Sequence, residues 1–285
     1  DVQREVHISE LSGLRVGLDA YCFLHRGKFA CAVDMLTGRA SEAFLGPILD
    51  TVRALQAAGA GVEVVFDGGR LPAKQAVEES RREGRAAARW QAAAEIHAAG
   101  GGSSTRQAAR RLAAGVEVTP DMAVACIRQL RTLGVSYVVA PCEADAQLAH
   151  LALSGSIDVC LTEDADLLAY GCPRVIFGLD SAGRGREVRL EDLPKSRGLA
   201  PYRLSAASLP DLAVLSGCDY LPSLPRLGLR TAAHLLHRSG GNLERALTLA
   251  RRDGVAVPAD YAARAAVARL VFLAQVVFDA ARNGL

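Results

Sequence analysis

Seven acidic residues carry the chemistry this sequence can do. Asp19 closes the apolar run LRVGLD and Asp67 closes VEVVFD. Glu143 and Asp145 follow VSYVVAPC, Asp164 and Asp166 follow IDVCLTE, and Asp219 sits in LSGCDYL. Two carboxylates about 4 Å apart repel by roughly 4 kcal/mol at an effective dielectric of 20. A cluster of up to seven is tolerable chiefly when divalent cations neutralise it, and hard oxygen ligands select magnesium or manganese over zinc. The spacings E-x-D at 143 and 145 and D-x-D at 164 and 166 let each pair offer two oxygens to one centre. Two such ions about 4 Å apart activate water and stabilise a leaving oxygen, so metal-assisted phosphodiester hydrolysis is the expected chemistry. A single Asp after a strand is more often a helix cap or turn former. Spread over five strand ends or loops, capping alone becomes a strained account.

For these acids to meet, the elements between them must return to one edge. Val/Ile/Leu runs alternating with helical stretches predict an α/β fold, a mainly parallel central sheet flanked by helices. In such sheets the functional crevice lies outside the carboxyl ends of the strands. Strands are expected at GLRVGLD, VEVVFD, SYVVA and IDVCLT, with VIFGL a fifth and SAGRGRE a turn into a hairpin with EVRLEDL. Helices are expected at 41–58, at 120–134 and over EADAQLAHLALSG, the last ended by glycine. Residues 73–99 read as a helix rich in Ala, Glu and Arg without an apolar face; GGGSS interrupts it and a shorter helix follows to about 114. That stretch, about 70–114, is expected to project as a mobile helical arch. From 206 onward the pattern is helical, giving an α/β core at 1–205 and a helical region at 206–285.

The chain has 285 residues, half of them apolar and 22% charged, which suits a soluble protein with a substantial core. No run approaches the roughly 18 apolar residues of a membrane span, and no basic-then-apolar leader opens the sequence. The seven cysteines, at 22, 31, 126, 142, 160, 172 and 218, are scattered and form no CxxC pair, which argues for a reducing compartment over a disulfide framework or zinc site. Net charge is only +2, but nine basic and four acidic residues fall between Arg70 and Arg111. A basic segment beside an acidic centre suits a polyanion held by its backbone and cut at metals; a solvated helix of mixed charge fits the pattern equally well.

Two further motifs stand near these acids. In DGGRLPAKQAVEESRR, Lys74 and Arg81 lie seven residues apart on one helix face, where they could stabilise charge on a metal-bound phosphate. Taken alone, exposed cations at a helix start explain them better. In SLPRLGLRTAAHLL a tight turn enters an amphipathic helix and could bind DNA phosphate through main-chain groups. An ordinary helical hairpin is the plain alternative.

Together, GLDAYCFLHRGKFAC, VVFDGGRLPAKQAVEESRRE, VAPCEADAQLAHL, LTEDADLLAYGC and LSGCDYLPSL resemble the structure-specific 5′ nuclease superfamily, which includes flap endonuclease and exonuclease 1. EADAQ and SGCDYL are nearer to the exonuclease 1 branch. The resemblance implies a PIN-like nuclease core with a helical arch and a C-terminal helix–two-turn–helix module. It implies two Mg2+ or Mn2+ ions on the seven acids, with Lys74 and Arg81 beside the scissile phosphate and Asp164 among the catalytic residues. Tyr21 and His25 match positions at the single-strand/duplex junction, and Arg82, Arg85, Arg226 and Gly228 are expected on DNA. Ser216, Ser223, Leu227 through its carbonyl, and Asp260 match positions that hold a K+ ion against the duplex. The family turn reads Gly-Ile/Val-Gly where this chain has Arg226-Leu227-Gly228, so an altered turn is expected there.

The expected activity is 5′→3′ exonuclease with 5′-flap endonuclease cleavage of DNA ends, flaps, nicks or gaps, by a nuclear monomer acting in DNA repair. The competing readings are a dedicated flap endonuclease or Holliday-junction resolvase, and a catalytically weak junction-binding module. Family members begin with a Met-Gly-Ile-x-Gly-Leu segment that is not in this chain, and repair or replication proteins are expected to dock on a C-terminal tail beyond it.

Overall fold

The computed structural model describes residues 1–36, 41–98, 113, 115–279 and 284. Seven strands form one sheet: β1 (Arg4–His7), β2 (Arg15–Asp19), β3 (Gly61–Phe66), β4 (Ser136–Val139), β5 (Val159–Thr162), β6 (Arg174–Phe177) and β7 (Arg184–Arg189). Their spatial order is β1-β7-β6-β5-β2-β3-β4. The five strands from β6 to β4 are parallel, while β7 and β1 form an antiparallel edge. The expected hairpin is present as β6–β7, but β7 begins at Arg184, inside the SAGRGRE stretch expected to be its turn. The short β1, with only Val6 buried, has too weak an apolar signal to stand out in sequence.

Alternation along the strands divides the core. Val64 and Phe66 of β3, Val159 and Leu161 of β5 and Ile176 of β6 face one apolar layer, built with α1 (Ala20–Leu36), α2 (Gly46–Ala57) and α4 (Pro120–Thr132). Val65, Cys160 and Val175 face the other layer, built with α5 (Ala144–Leu153) and the C-terminal helices. The period-2 pattern with both faces covered is why these strands read as continuous apolar runs. The helix expected at 41–58 begins with a 3₁₀ turn, Ala43–Leu45, and becomes α-helical at Gly46, with Pro47 in its first turn.

The projecting helix is α3 (Gln75–Ala98), entered through a 3₁₀ turn at Pro72–Lys74. Its positions 81–84 are exposed, as is Trp90, consistent with the missing apolar face. The glycine break and the shorter helix expected up to about 114 lie, for nearly all their length, outside the described residues.

Helices α7 (Leu209–Ser216), α8 (Leu229–Ser239), α9 (Leu243–Arg252) and α10 (Tyr261–Ala274) follow a one-turn α6 (Asp166–Ala169) and the β6–β7 hairpin. They share one continuous apolar cluster with the sheet, running from Val65 to Phe272. No helix among the described residues is long and apolar enough to cross a membrane.

Candidate active site

The strand order reverses beside β2: β3 lies on one side of it and β5 on the other. Asp19 ends β2, Asp67 follows β3, and Asp164 follows β5, so all three arrive at the crevice that such a reversal opens. A cavity of about 490 Å³ lies there, lined among others by Asp19, Asp67, Glu143, Asp145, Asp164 and Asp219, and by Tyr21, His25, Lys74 and Arg81. Asp166 is not on its wall but lies in the field of Asp164 and Asp219. The acids expected to gather from separate elements do so.

Local backbone needs set several of these positions. Asp19 Oδ1 accepts the N–H groups of Tyr21 (3.0 Å) and Cys22 (3.3 Å) at the start of α1. Asp67 Oδ1 accepts the Ala144 N–H at 2.7 Å, and Asp164 Oδ1 accepts that of Asp166 at 2.9 Å. The capping role and the cluster therefore coexist, each cap using one carboxylate oxygen. Gly68 explains how Asp67 reaches the Ala144 N–H: a Cβ there would lie 1.8 Å from the Ala140 carbonyl oxygen, and Gly68 N–H donates to the Cys142 carbonyl at 2.6 Å. No other residue lets the chain after β3 lie so close to the loop that leads into α5.

Two cations hold one end of the cavity. Lys74 Nζ lies 2.6 Å from Glu143 Oε1 and 2.8 Å from Asp219 Oδ2, and Arg81 Nη2 reaches both oxygens of Asp219 at 2.8 and 2.9 Å. Asp219 stands at the tip of a tight turn in which Cys218 and Leu221 exchange main-chain hydrogen bonds. Burial works against the charge of Glu143, yet Lys74, Tyr220 and Gln275 together keep its pKa below the ordinary value. Burial is likewise outweighed at Asp219, by Lys74 and Arg81. The same two carboxylates raise the pKa of Lys74 against its own burial.

The other acids have no such partners. Burial pushes Asp67, at the solvent-accessible mouth, up to about 6, with Asp19 adding repulsion and the Ala144 N–H opposing it. Burial, then Asp164 and Asp219, push Asp166 up to about 7. Burial also raises Asp19, although Cys22 and Thr162 donate to it. It raises Asp145 further, with Asp19, Asp164, Asp67 and Glu143 all repelling it. Asp145 Oδ1 is buried and accepts no hydrogen bond. Among the described residues, no three such side chains are drawn tightly enough together to enclose an ion. Yet an orphaned buried carboxylate oxygen, in an all-oxygen set of mutually repelling acids, fits a hard divalent cation.

Tyr21 and His25 share the cavity wall. Ring burial and the nearby Lys28, Arg81 and Arg85 push His25 down to about 4, so the imidazole is neutral. Arg82 is exposed on α3, and Arg85 pairs with Glu117 at 3.1 Å. Far from this cavity in sequence, Arg226 has φ +67, a left-handed conformation that glycine adopts more readily than arginine. Gly228 caps α8. Gly217, at φ +99, lies so close to Ser223 that a Cβ would sit 2.9 Å from its main-chain nitrogen. This brings Ser216 and Ser223 to one turn. Ser216 Oγ donates to the Leu212 carbonyl at 2.7 Å, and Leu227 is buried. Asp260 precedes Tyr261, whose hydroxyl donates to the Pro222 carbonyl at 3.1 Å, and pairs with Arg264 at 3.6 Å.

Four residues that position the acids carry no sequence signal of their own. Thr162 Oγ1 donates to Asp19 Oδ2 at 2.9 Å and accepts the Asp164 N–H at 3.1 Å. Tyr170, Tyr220 and Gln275 all lie on Glu143. Thr162 and Tyr170 lie in LTEDADLLAYGC and Tyr220 in SGCDYL, but beside the acids rather than as marked residues; Gln275 lies in no motif.

Residues 1–88 match the XPG N-terminal domain and residues 134–219 the XPG I-region. The chain belongs to the XPG family. It is 37% identical to exonuclease 1 of Arabidopsis thaliana over 274 residues, covering 96% of this chain and 37% of that protein. It is 37% identical to exonuclease 1 of Danio rerio over 289 residues, 99% of this chain and 35% of that one. The chain thus spans little more than a third of these relatives. Among solved structures, the catalytic core of Rad2 in complex with DNA substrate superposes with a TM-score of 0.70 at 17% identity, covering 97% of this chain and 83% of that one. Flap endonuclease-1 from Methanococcus jannaschii gives 0.63 at 23% identity, covering 95% and 81%. These likenesses establish the fold, a mainly parallel sheet flanked by helices on both faces.

Proposed function

We propose that this chain is the catalytic region of a divalent-metal-dependent, structure-specific 5′ nuclease that acts on DNA, with 5′→3′ exonuclease and 5′-flap endonuclease activity. The observation that carries the reading is one cavity holding uncompensated acids, the orphaned Asp145 Oδ1 and the paired cations Lys74 and Arg81. Asp19, Asp67, Glu143, Asp145, Asp164, Asp166 and Asp219 would hold two Mg2+ or Mn2+ ions. Bound there, such ions supply Lewis-acid stabilisation and an acidified water.

The chain's own residues do the rest. Lys74 and Arg81 stand at the Asp219 end of the cavity, where they can meet a phosphate as charge develops on it. Tyr21 and the neutral His25 offer ring surfaces on the same wall for a base at the duplex junction. Arg82 and Arg85 extend the positive face along α3. A pure junction-binding module would gain nothing from this costly acid cluster. Partners follow the same logic: DNA with 5′ ends, flaps, nicks or gaps, bound by a monomer in nuclear repair.

Cleavage of a labelled 5′-recessed duplex with Mg2+ and with EDTA tests the reading. Mg2+-dependent release of 5′ products supports it, and no cleavage with either divalent ion overturns it. Preference for a 5′ flap or a four-way junction over a recessed end would instead favour the dedicated flap endonuclease or resolvase.

The turn 217–228 is proposed as a second DNA anchor. Ser216, Ser223, the Leu227 carbonyl and Asp260 would place K+ against a duplex phosphate. Arg226 keeps the glycine-like φ there, which supports retention of the site. Replacing K+ by a larger organic cation at constant ionic strength should weaken duplex binding. Indifference to that exchange, with a salt slope lowered by about 1 in Arg226→Gly, would assign the contact to Arg226.

A further inference from the structure

We propose that Gln275 is a positioning residue for the Glu143 carboxylate, and that the segment leaving the last helix is a strap fastened along α5 to hold that carboxylate in place. The inference rests on the reading of Glu143 as a metal ligand. Helix α10 ends at Ala274, and Gln275 turns out of it with ψ 145. Its side chain meets Glu143 twice: Gln275 Oε1 accepts the Glu143 N–H at 3.3 Å, and Nε2 donates to Glu143 Oε2 at 3.0 Å. One helical turn further along α5, Gln147 repeats the pattern on the strap. Its Nε2 donates to the Phe278 carbonyl and its Oε1 accepts the Phe278 N–H, both at 2.8 Å. Glu143 and Gln147 are four apart and share a helix face, so the strap is fastened at two successive turns.

Counting donors fixes the direction of every bond. An ionised carboxylate only accepts, so the Tyr220 hydroxyl at 2.6 Å must give its single proton to Glu143 Oε2. The Tyr170 hydroxyl, 2.6 Å from that of Tyr220, must then donate to it. The second hydrogen of Gln275 Nε2 goes to the Tyr170 oxygen at 3.1 Å. The result is a closed ring, Gln275 to Tyr170 to Tyr220 to Glu143, with Gln275 also donating directly to Glu143. Inverting the amide would set its oxygen against the carboxylate, so its orientation is determined. Phe272 supports both tyrosine rings, with centroids 5.0 and 5.1 Å away.

This ring saturates Glu143 Oε2 and leaves Oε1, the oxygen that Lys74 holds, for the cation. Neighbours that orient a metal-bound carboxylate typically change affinity by about 10- to 100-fold when removed.

The test is titration calorimetry of the DNA-free protein with Mn2+. Gln275→Met keeps the side chain's length but removes its amide, and Mn2+ affinity should fall by about 10-fold. Gln275→Glu sets an acceptor against Oε2 and should weaken binding at least as much, although its packing is conserved. A folded Gln275→Met that binds Mn2+ like the wild type overturns the proposal. If that variant does not fold, Tyr220→Phe removes one hydroxyl from the same ring and keeps the Phe272 contact. A roughly threefold loss there supports the proposal and an unchanged affinity overturns it. In cleavage assays the loss in kcat should be recovered at high Mn2+, with KM for the duplex unchanged. Glu143→Gln separates the two levels of argument. Wild-type Mn2+ affinity in that variant removes Glu143 from the metal site, and the positioning role with it. Weak binding in Glu143→Gln beside normal binding in Gln275→Met removes only the role of Gln275.

Discussion

The two ends of the acid cluster face the same problem and solve it differently. Glu143 and Asp219 have Lys74 and Arg81 against them, and their pKa values lie below the ordinary range despite burial. Asp19, Asp67, Asp145 and Asp166 form no ion pair; Lys74 acts on Asp67 and Asp166 only from a distance, too weakly to offset burial and neighbouring acids, and all four lie above that range. The first end is neutralised from within the chain and is organised before any ligand arrives. The second stores repulsion that an external cation would relieve. A protein that needed these acids only as caps would have no reason to bury so many of them against one another.

The largest effect should come from removing an acid at the uncompensated end. In Asp145→Asn and Asp164→Ala, Mg2+-dependent cleavage should fall by roughly 10³-fold or more as metal stabilisation is lost, while duplex binding persists. The comparison adds an opposite expectation for stability. Asp145→Asn should raise the melting temperature in EDTA, because it removes a buried carboxyl that its acidic neighbours repel whenever it ionises. A lower melting temperature in EDTA would break the contrast.

At the compensated end the signs reverse. Lys74 is well enclosed, its side chain 17% exposed, so Lys74→Met strands Glu143, leaves Asp219 with Arg81 alone, and should cost about 3 kcal/mol in EDTA, measured by denaturant unfolding. Added Mg2+ should recover part of that loss. In cleavage, kcat should fall by roughly 10²-fold with little change in KM; a pure KM effect would assign Lys74 to uniform phosphate binding. Arg81→Ala should follow with a smaller stability loss, since half of that side chain faces solvent.

The pH dependence follows from the same contrast. Asp166, raised to about 7, binds a proton in the folded state that the unfolded chain releases near pH 4. Stability therefore falls as pH rises toward 7 and levels off above it. His25, lowered to about 4 from 6.5, acts in the opposite direction, but only below 6.5. Glu143 and Asp219, with lowered values, lose their contribution only below the ordinary carboxylate range. The clean window is thus pH 6.5 to 8. In EDTA the melting temperature should drop across it, and the stabilisation given by Mg2+ should grow. A flat EDTA profile there would mean that the uncompensated end is not strained.

Much of the arrangement could be read from sequence because burial on both faces forces strands into continuous apolar runs. Asp19 and Asp67 break those runs in plain sight, and their common edge follows from topology. The division between the two ends could not be read. It depends on the 3₁₀ turn at Pro72–Lys74 aiming one ammonium between acids 69 and 145 residues away. Gln275 likewise meets Glu143 across 132 residues, with no local pattern to mark either partner. Arg226 shows another limit: its sequence marks a residue that disfavours positive φ, yet it lies at φ +67, and only the folded structure shows that.

The smallest expected effect separates repulsion from hydrogen bonding within the uncompensated end. Thr162 is buried, and its hydroxyl joins Asp19 Oδ2 to the Asp164 N–H. Thr162→Val keeps the shape and removes that bridge, which should cost about 1–2 kcal/mol in EDTA. Asp145→Asn, on the same side of the cavity, is expected to do the reverse. If both variants destabilise, hydrogen-bond satisfaction rather than charge governs this end. If both stabilise, Thr162 is not the donor that keeps Asp19 charged. Opposite signs are what the contrast requires: Asp145 contributes repulsion, while Thr162 partly offsets it by donating to Asp19. Mg2+ affinity in Thr162→Val should fall by only a few-fold, since the acids themselves remain and only the orientation of Asp19 is loosened.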